Sequence, residues 1–175
     1  MYYLLLLVFF FITTFSSYKE EVMPKVPNTK EFLQKIQQLE SSGGKDFEHP
    51  VITASNLQQG TRAIGRYGLM PNTVQELVNR RRLRGTVSPD MVELAQLPPE
   101  EMKAKLEANP DLEDQLAEDL AQHVIRRQKG DEDKAAYSWI QGHNLNPKDI
   151  SPENLEESPY VQKYRKLKQL MTDEN

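Results

Sequence analysis

From Pro71 to Gly130 the sequence repeats one piece of punctuation, a proline just inside the start of an apolar-periodic segment, which leaves little room for anything but consecutive helices. Proline at the first helical position gives up no hydrogen bond, because an N–H there has no intrahelical partner, and it is excluded from the middle of a sheet. Ser88-Pro89 opens a segment reaching Leu97, Pro98-Pro99 another reaching Leu106, and Asn109-Pro110 the longest, up to Gly130. In that last segment Leu112, Leu116, Leu120 and Val124 recur at four-residue spacing, which predicts a buried central helix. Thr73 and Glu76 have capping-box spacing for a helix through Leu83 that turns Val74, Leu77 and Val78 inward. Asp131 or Asp133 caps a helix over 135–140 that stops near Gly142. Residues 143–159 read as a connection, and Val161, Tyr164, Leu167 and Met171 mark a final amphipathic helix. The predicted fold class is mainly α, with six to eight helices and one long loop.

Ahead of this array, Asn28 and Glu31 signal another helix start, and Phe32, Leu33, Ile36 and Leu39 recur at helical spacing until Gly43 and Gly44 supply a stop. Glu40 continues the apolar stripe, seven residues after Leu33 and four after Ile36. Burial beside apolar neighbours and the negative end of the helix dipole both favour a carboxyl that keeps its proton. That is the state required of a general acid at a glycosidic oxygen. A solvated glutamate at a helix end has the same spacing, so the assignment needs support from other residues.

Residues 45–70 are rich in Gly, Thr, Ser, Asn and Gln and read as a long loop with a small β-hairpin. Gly60, Gly65 and Gly68 let its backbone approach a ligand or another segment closely. At the other end of the chain, residues 2–15 are almost unbroken apolar sequence. At about 14 residues the run is short for a bilayer span and suits a signal peptide, with Ser16 and Ser17 following. The domain division expected is a signal peptide or N-terminal membrane anchor over 1–17, a linker over 18–28 with Pro24 and Pro27, and one globular domain over 29–175 facing outside the cytoplasm.

Composition removes several alternatives. The net charge of −4, from 26 acidic and 22 basic residues, supplies no basic field for nucleic acid. With no cysteine, disulfides, thiolate chemistry and thiolate metal sites are unavailable. His49, His123 and His143 are scattered and form no His-Glu-x-x-His pattern, so no metal site is expected. The Arg80 to Arg84 run fits a solvated helix C-terminus. Ser42-Gly43-Gly44-Lys45 matches Ser-x-x-Lys, but two glycines break the helical turn that this nucleophile motif needs.

Three segments in order, Glu40-Ser41-Ser42, Tyr67-Gly68-Leu69-Met70-Pro71-Asn72-Thr73 and Ala136-Tyr137-Ser138-Trp139, resemble the soluble lytic transglycosylase family, which is kin to goose-type lysozymes. The family pattern is a Glu-Ser pair at a helix end, Gly-Leu-Met-Gln leading to Met-Pro-x-Thr, and Ala-Tyr-Asn-x-Gly. The resemblance spans about 29–142. The chain departs from it where Pro71 directly follows Met70 and the Gln is missing, where Ser138 replaces Asn, and where Ile140 replaces Gly.

The resemblance implies a lysozyme-like fold acting without a cofactor on peptidoglycan glycan strands. It implies Glu40 as the catalytic acid, Tyr67, Gly68 and Met70 lining the cleft, and Tyr137 hydrogen-bonded to Glu40 or substrate. Trp139, the only tryptophan, stacks on a sugar or packs in the core, with the core favoured. In the scheme implied, Glu40 protonates the oxygen between N-acetylmuramic acid and N-acetylglucosamine. It then takes the proton of the sugar 6-hydroxyl as a 1,6-anhydro ring closes. Between His49 and Glu76 there is no Asp or Glu, which favours this one-carboxylate route over the two-carboxylate one, in which Asp46 or Glu48 would direct a water. A protein that keeps the fold and binds glycan without cleaving it is the remaining reading.

Overall fold

In the computed structural model the described residues are 28–43 and 62–173. The apolar run at 2–15, the linker up to 27, and the loop stretch 44–61 with Asp46, Glu48, His49 and Gly60 lie outside them. Among the described residues no helix is long and apolar enough to cross a membrane.

These residues are mainly helical: α1 Thr29–Ser41, α2 Pro71–Leu83, α3 Pro89–Leu94, α4 Pro99–Ala108, α5 Pro110–Arg127, α6 Glu132–Gln141, α7 Pro152–Glu157 and α8 Pro159–Asp173. Helix α5 is the hub, packed against α1, α2, α4 and α6. Leu112, Leu116, Leu120 and Val124 on it are all buried, as the four-residue stripe predicts, and Ala117 and Ala121 are buried beside them. Each large apolar side chain removed from water in this way contributes about 1.5–3 kcal/mol. Helix α8 then closes over α1, α6 and α7, and this brings a C-terminal element against the N-terminal helix.

Several boundaries differ from expectation for local reasons. Helix α2 begins at Pro71 with Met70 as its cap and no side-chain cap bond, so Thr73 and Glu76 do not form a capping box. The Glu76 carboxylate is instead held by Arg80 and by His143. Helix α3 ends at Leu94, short of Leu97. Asp131, rather than Asp133, caps α6, accepting from the Lys134 N–H at 3.0 Å. The 143–159 connection contains a 3-10 turn, Pro147–Asp149, and α7, which Ser151 and Asn154 start with a reciprocal capping box. The expected hairpin is reduced, among the described residues, to a bridge between Ile64 and Leu69 flanking a tight turn.

Helix α1 ends as its sequence dictates. Ser42 takes a left-handed conformation (φ 50) and the Gly43 N–H returns to the Gln37 carbonyl at 3.2 Å, closing the helix through a left-handed residue. Phe32 and Ile36 are fully buried on its inner face, and Glu40 sits one turn beyond Ile36 on the same face.

Candidate active site around Glu40

Glu40 lies in the last turn of α1, half-buried, with its two carboxylate oxygens in different surroundings. Oε1 accepts a 2.7 Å hydrogen bond from the Tyr160 hydroxyl at the start of α8. Oε2 lies over Gly68, where a Cβ on that residue would come within 2.4 Å of it. Glycine is required at 68 on two counts, the backbone φ of 62 and the volume the carboxylate occupies. Burial pushes the Tyr160 hydroxyl well above the ordinary tyrosine range, and the Glu40 charge beside it acts in the same direction. Tyr160 therefore stays protonated and serves Glu40 as a donor.

One helical turn along α8, a buried charge cluster fixes the register that puts Tyr160 there. Tyr164 donates to Glu132 Oε2 at 3.0 Å, and the ammonium groups of Lys168 and Lys35 stand 3.1 and 3.6 Å from the same oxygen. Lys35 is only 5% exposed and its Nζ sits 5.6 Å from the Tyr164 ring centroid. A cation buried this far is costly unless paired, so the pairing restricts how α1, α6 and α8 fit together.

The turn carrying Gly68 is built as tightly. Ile64 and Leu69 exchange backbone hydrogen bonds of 2.8 and 2.9 Å, and the Gly68 N–H approaches the Gly65 carbonyl at 3.5 Å. Ser41, beside the acid and 1% exposed, donates to the Arg66 carbonyl at 2.7 Å. From α5 the wholly buried Glu113 accepts the Tyr67 N–H and the Arg66 Nε–H, each at 3.2 Å. The Arg66 guanidinium also donates to Asp114 Oδ1 at 2.8 Å.

The residues singled out from the sequence are only partly brought together. Glu40 and Gly68 touch. Met70 caps α2 with extended backbone, half-exposed and immediately after the turn. Tyr67 is buried, and its hydroxyl donates to Asp114 at 2.7 Å; the side chain lines a hollow with Lys30, Leu33 and Gln34, toward the N-terminal half of α1 rather than its Glu40 end. Tyr137 needs correction as a partner of the acid. It packs against the smaller cluster of Ile150, Leu155 and Val161, and the tyrosine bonded to Glu40 is Tyr160. Trp139 takes the core role, edge-on to Phe32 at 5.9 Å with its indole N–H on the Tyr67 carbonyl at 3.2 Å.

Tyr160 and Glu113 escaped the sequence reading, although each leaves a trace. Tyr160 and Tyr164 are one turn apart behind Pro159, and Glu113 heads a stripe with Ala117 and Ala121, the pattern that drew attention to Glu40.

A second titratable group lies between α2, α5 and the segment after α6. Since a carboxylate only accepts, His143 Nε2 donates to Glu76 Oε2 at 2.9 Å; Arg80 holds the other oxygen, and His123 Nε2 meets Asn144 Oδ1 at 3.2 Å. Burial raises the Glu76 carboxyl, but the hydrogen bonds and charges of His143 and Arg80 outweigh it and hold the group below its ordinary 4.5. Glu132 behaves alike, with Lys168 and Lys35 outweighing burial. Burial lowers His123 from its ordinary 6.5, and Arg80 adds to this.

A histidine kept neutral by the fold costs stability once the unfolded chain begins to protonate, and a carboxylate held low loses its contribution as pH falls through its folded value. Unfolding free energy measured by denaturant titration should be flat between about pH 7 and 9 and should fall above about pH 10, where the unfolded chain ionises tyrosines that the fold keeps protonated. It should decline first below about pH 6.5, from His123, and again below about pH 4.5, from Glu76 and Glu132. His123→Gln should remove the first decline and leave the second. Among the described residues no three His, Asp or Glu side chains are placed to share a metal ion.

Compared with protein-family models, with curated proteins and with solved structures, the chain matches none.

Proposed function

We propose that this chain is a peptidoglycan-cleaving lytic transglycosylase with a lysozyme-like domain, in which Glu40 is first the general acid and then the general base. The observation that carries the reading is the half-buried carboxylate at the end of α1, held at one oxygen by Tyr160 and facing a glycine with the other. With Oε1 occupied by a donor, the transferable proton belongs on Oε2. The missing side chain at Gly68 is what lets the carboxylate seat against the turn, which fixes the position from which Oε2 would deliver that proton.

Protonation of that oxygen releases N-acetylglucosamine, with the acetamido group of the muramic acid assisting. The Glu40 carboxylate then takes the proton of the 6-hydroxyl while that oxygen closes on C1, so no water is consumed. Tyr160 contributes by steadying the negative charge of Glu40 between the two steps. Gly68 and Met70 are assigned to the cleft. Peptidoglycan places the site of action outside the cytoplasm, in keeping with the apolar run at 2–15.

Other carboxylates around the turn have different work. Glu113 is buried against Arg66 and the Tyr67 N–H, and Asp114 is held by Tyr67 and Arg66. Among the described residues this supports the single-carboxylate route, while Asp46 and Glu48, the candidates for a hydrolytic one, lie outside them.

Digestion of purified cell wall, followed by mass spectrometry of the fragments, tests the assignment. The expected products end in 1,6-anhydro-muramic acid. Reducing muramic acid ends would instead assign a hydrolytic muramidase, and binding without release of fragments a non-catalytic glycan-binding protein.

A further inference from the structure

Helix α5 contributes a wholly buried carboxylate to the Gly65 end of the turn whose Gly68 end meets Glu40, and the reaction outlined above has no use for it. Glu113 Oε1 accepts the Tyr67 N–H and Oε2 accepts Arg66 Nε–H, both at 3.2 Å, and the backbone N–H of Arg66 points to the same carboxylate. A Cβ on Gly65 would come within 2.3 Å of Oε1, just as a Cβ on Gly68 would come within 2.4 Å of Glu40 Oε2. Gly65 and Gly68 are the two ends of one four-residue turn, and the end Cα atoms of such a turn are less than about 7 Å apart. The turn is thus held between two carboxylates, each seated where a side chain is missing. Burial raises the Glu113 carboxyl above its ordinary range against the pull of Arg66 and the Tyr67 N–H, but all its hydrogen-bonding contacts are donors, so the ionised carboxylate matches them and an amide cannot.

We propose that Glu113, acting through Arg66 and the Gly65–Gly68 turn, is a positioning residue for Glu40: it sets the height of Gly68 against the acid and adds a buried negative charge at the other end of the turn. Its kinetic consequence rests on the transglycosylase reading, but its electrostatic consequence does not. Removing the Glu113 charge leaves the Arg66 guanidinium without its buried partner near the turn, and both changes favour the ionised form of Glu40.

Glu113→Gln tests this in the full chain with two readouts. The carboxyl carbon of Glu40, labelled with carbon-13 and assigned by its disappearance in Glu40→Gln, is followed by NMR as pH is varied. Its titration should move to lower pH in Glu113→Gln. Cleavage of wall polymer should show kcat reduced about tenfold or more with KM within about twofold, and an alkaline limb displaced to lower pH. A change that only loosened the fold would lower Tm without moving the Glu40 titration in that direction. If Glu113→Gln does not fold, Gly65→Ala attacks the same contact from the turn while keeping the charge, and should give the fall in kcat without the displaced titration.

Wild-type titration and wild-type kcat in the folded variant would overturn the proposal. A displaced titration in a protein whose wild type releases no glycan fragments would uphold the positioning role and reject the transglycosylase reading.

Discussion

Glu40→Gln should lower glycan cleavage by about 10²–10⁴-fold or to background, with Tm and circular dichroism unchanged. An amide has nearly the shape of the carboxylate and keeps an oxygen to accept from Tyr160, so the 2.7 Å contact between α1 and α8 survives. It has no transferable proton for the first step and no basic oxygen for the second. A single substitution therefore removes both halves of the cycle, where in a two-carboxylate enzyme it would remove one. Glycan binding should persist, and binding by the variant measured against wild type separates lost chemistry from lost recognition. Retention of more than about a tenth of wild-type cleavage would remove Glu40 from the reaction.

Gly68→Ala is the second large effect, and it comes from a methyl group. The new Cβ would lie 2.4 Å from Glu40 Oε2, well inside contact distance, on a backbone whose φ of 62 already disfavours a side chain. Either the turn shifts, pulling on the Ser41 and Glu113 bonds that hold it, or the carboxylate swings off Tyr160. A displacement near 1 Å at a catalytic group costs roughly 10²-fold, so kcat should fall by about that factor. The left-handed backbone alone adds about 1 kcal/mol of destabilisation, visible as a Tm lower by several degrees. Wild-type kcat in Gly68→Ala would show that the acid does not depend on this turn.

What the sequence made legible was local. Proline at the first helical position and four-residue apolar spacing are written within a dozen residues, and α3, α4 and α5 start where Pro89, Pro99 and Pro110 say they should. Glu40 was legible because it breaks an apolar stripe on its own helix. The Thr73 and Glu76 pair was misread because Pro71 had already supplied the start, and Arg80 and His143 compete better for the carboxylate. Helix α7 was missed because six residues carry too little periodicity to register.

Tyr160 was missed for a different reason. Its meaning depends on the packing of α8 against α1, and nothing near either residue announces a contact at a separation of 120. The resemblance to transglycosylases led instead to Tyr137, which belongs to the second apolar cluster. Glu113 is intermediate, since its alignment with Ala117 and Ala121 marks it as inward-facing but cannot name Arg66 as its partner.

The pairing of residue 40 with residue 160 also gives the molecule an order of completion. A ribosome releases Glu40 120 residues before Tyr160, so a chain stalled or clipped before Pro159 has the carboxyl but not the hydroxyl that holds it. Long-range closure of this kind is among the slower events in folding. The surroundings of the Glu40 carboxylate are thus complete only once α8 has docked on α1.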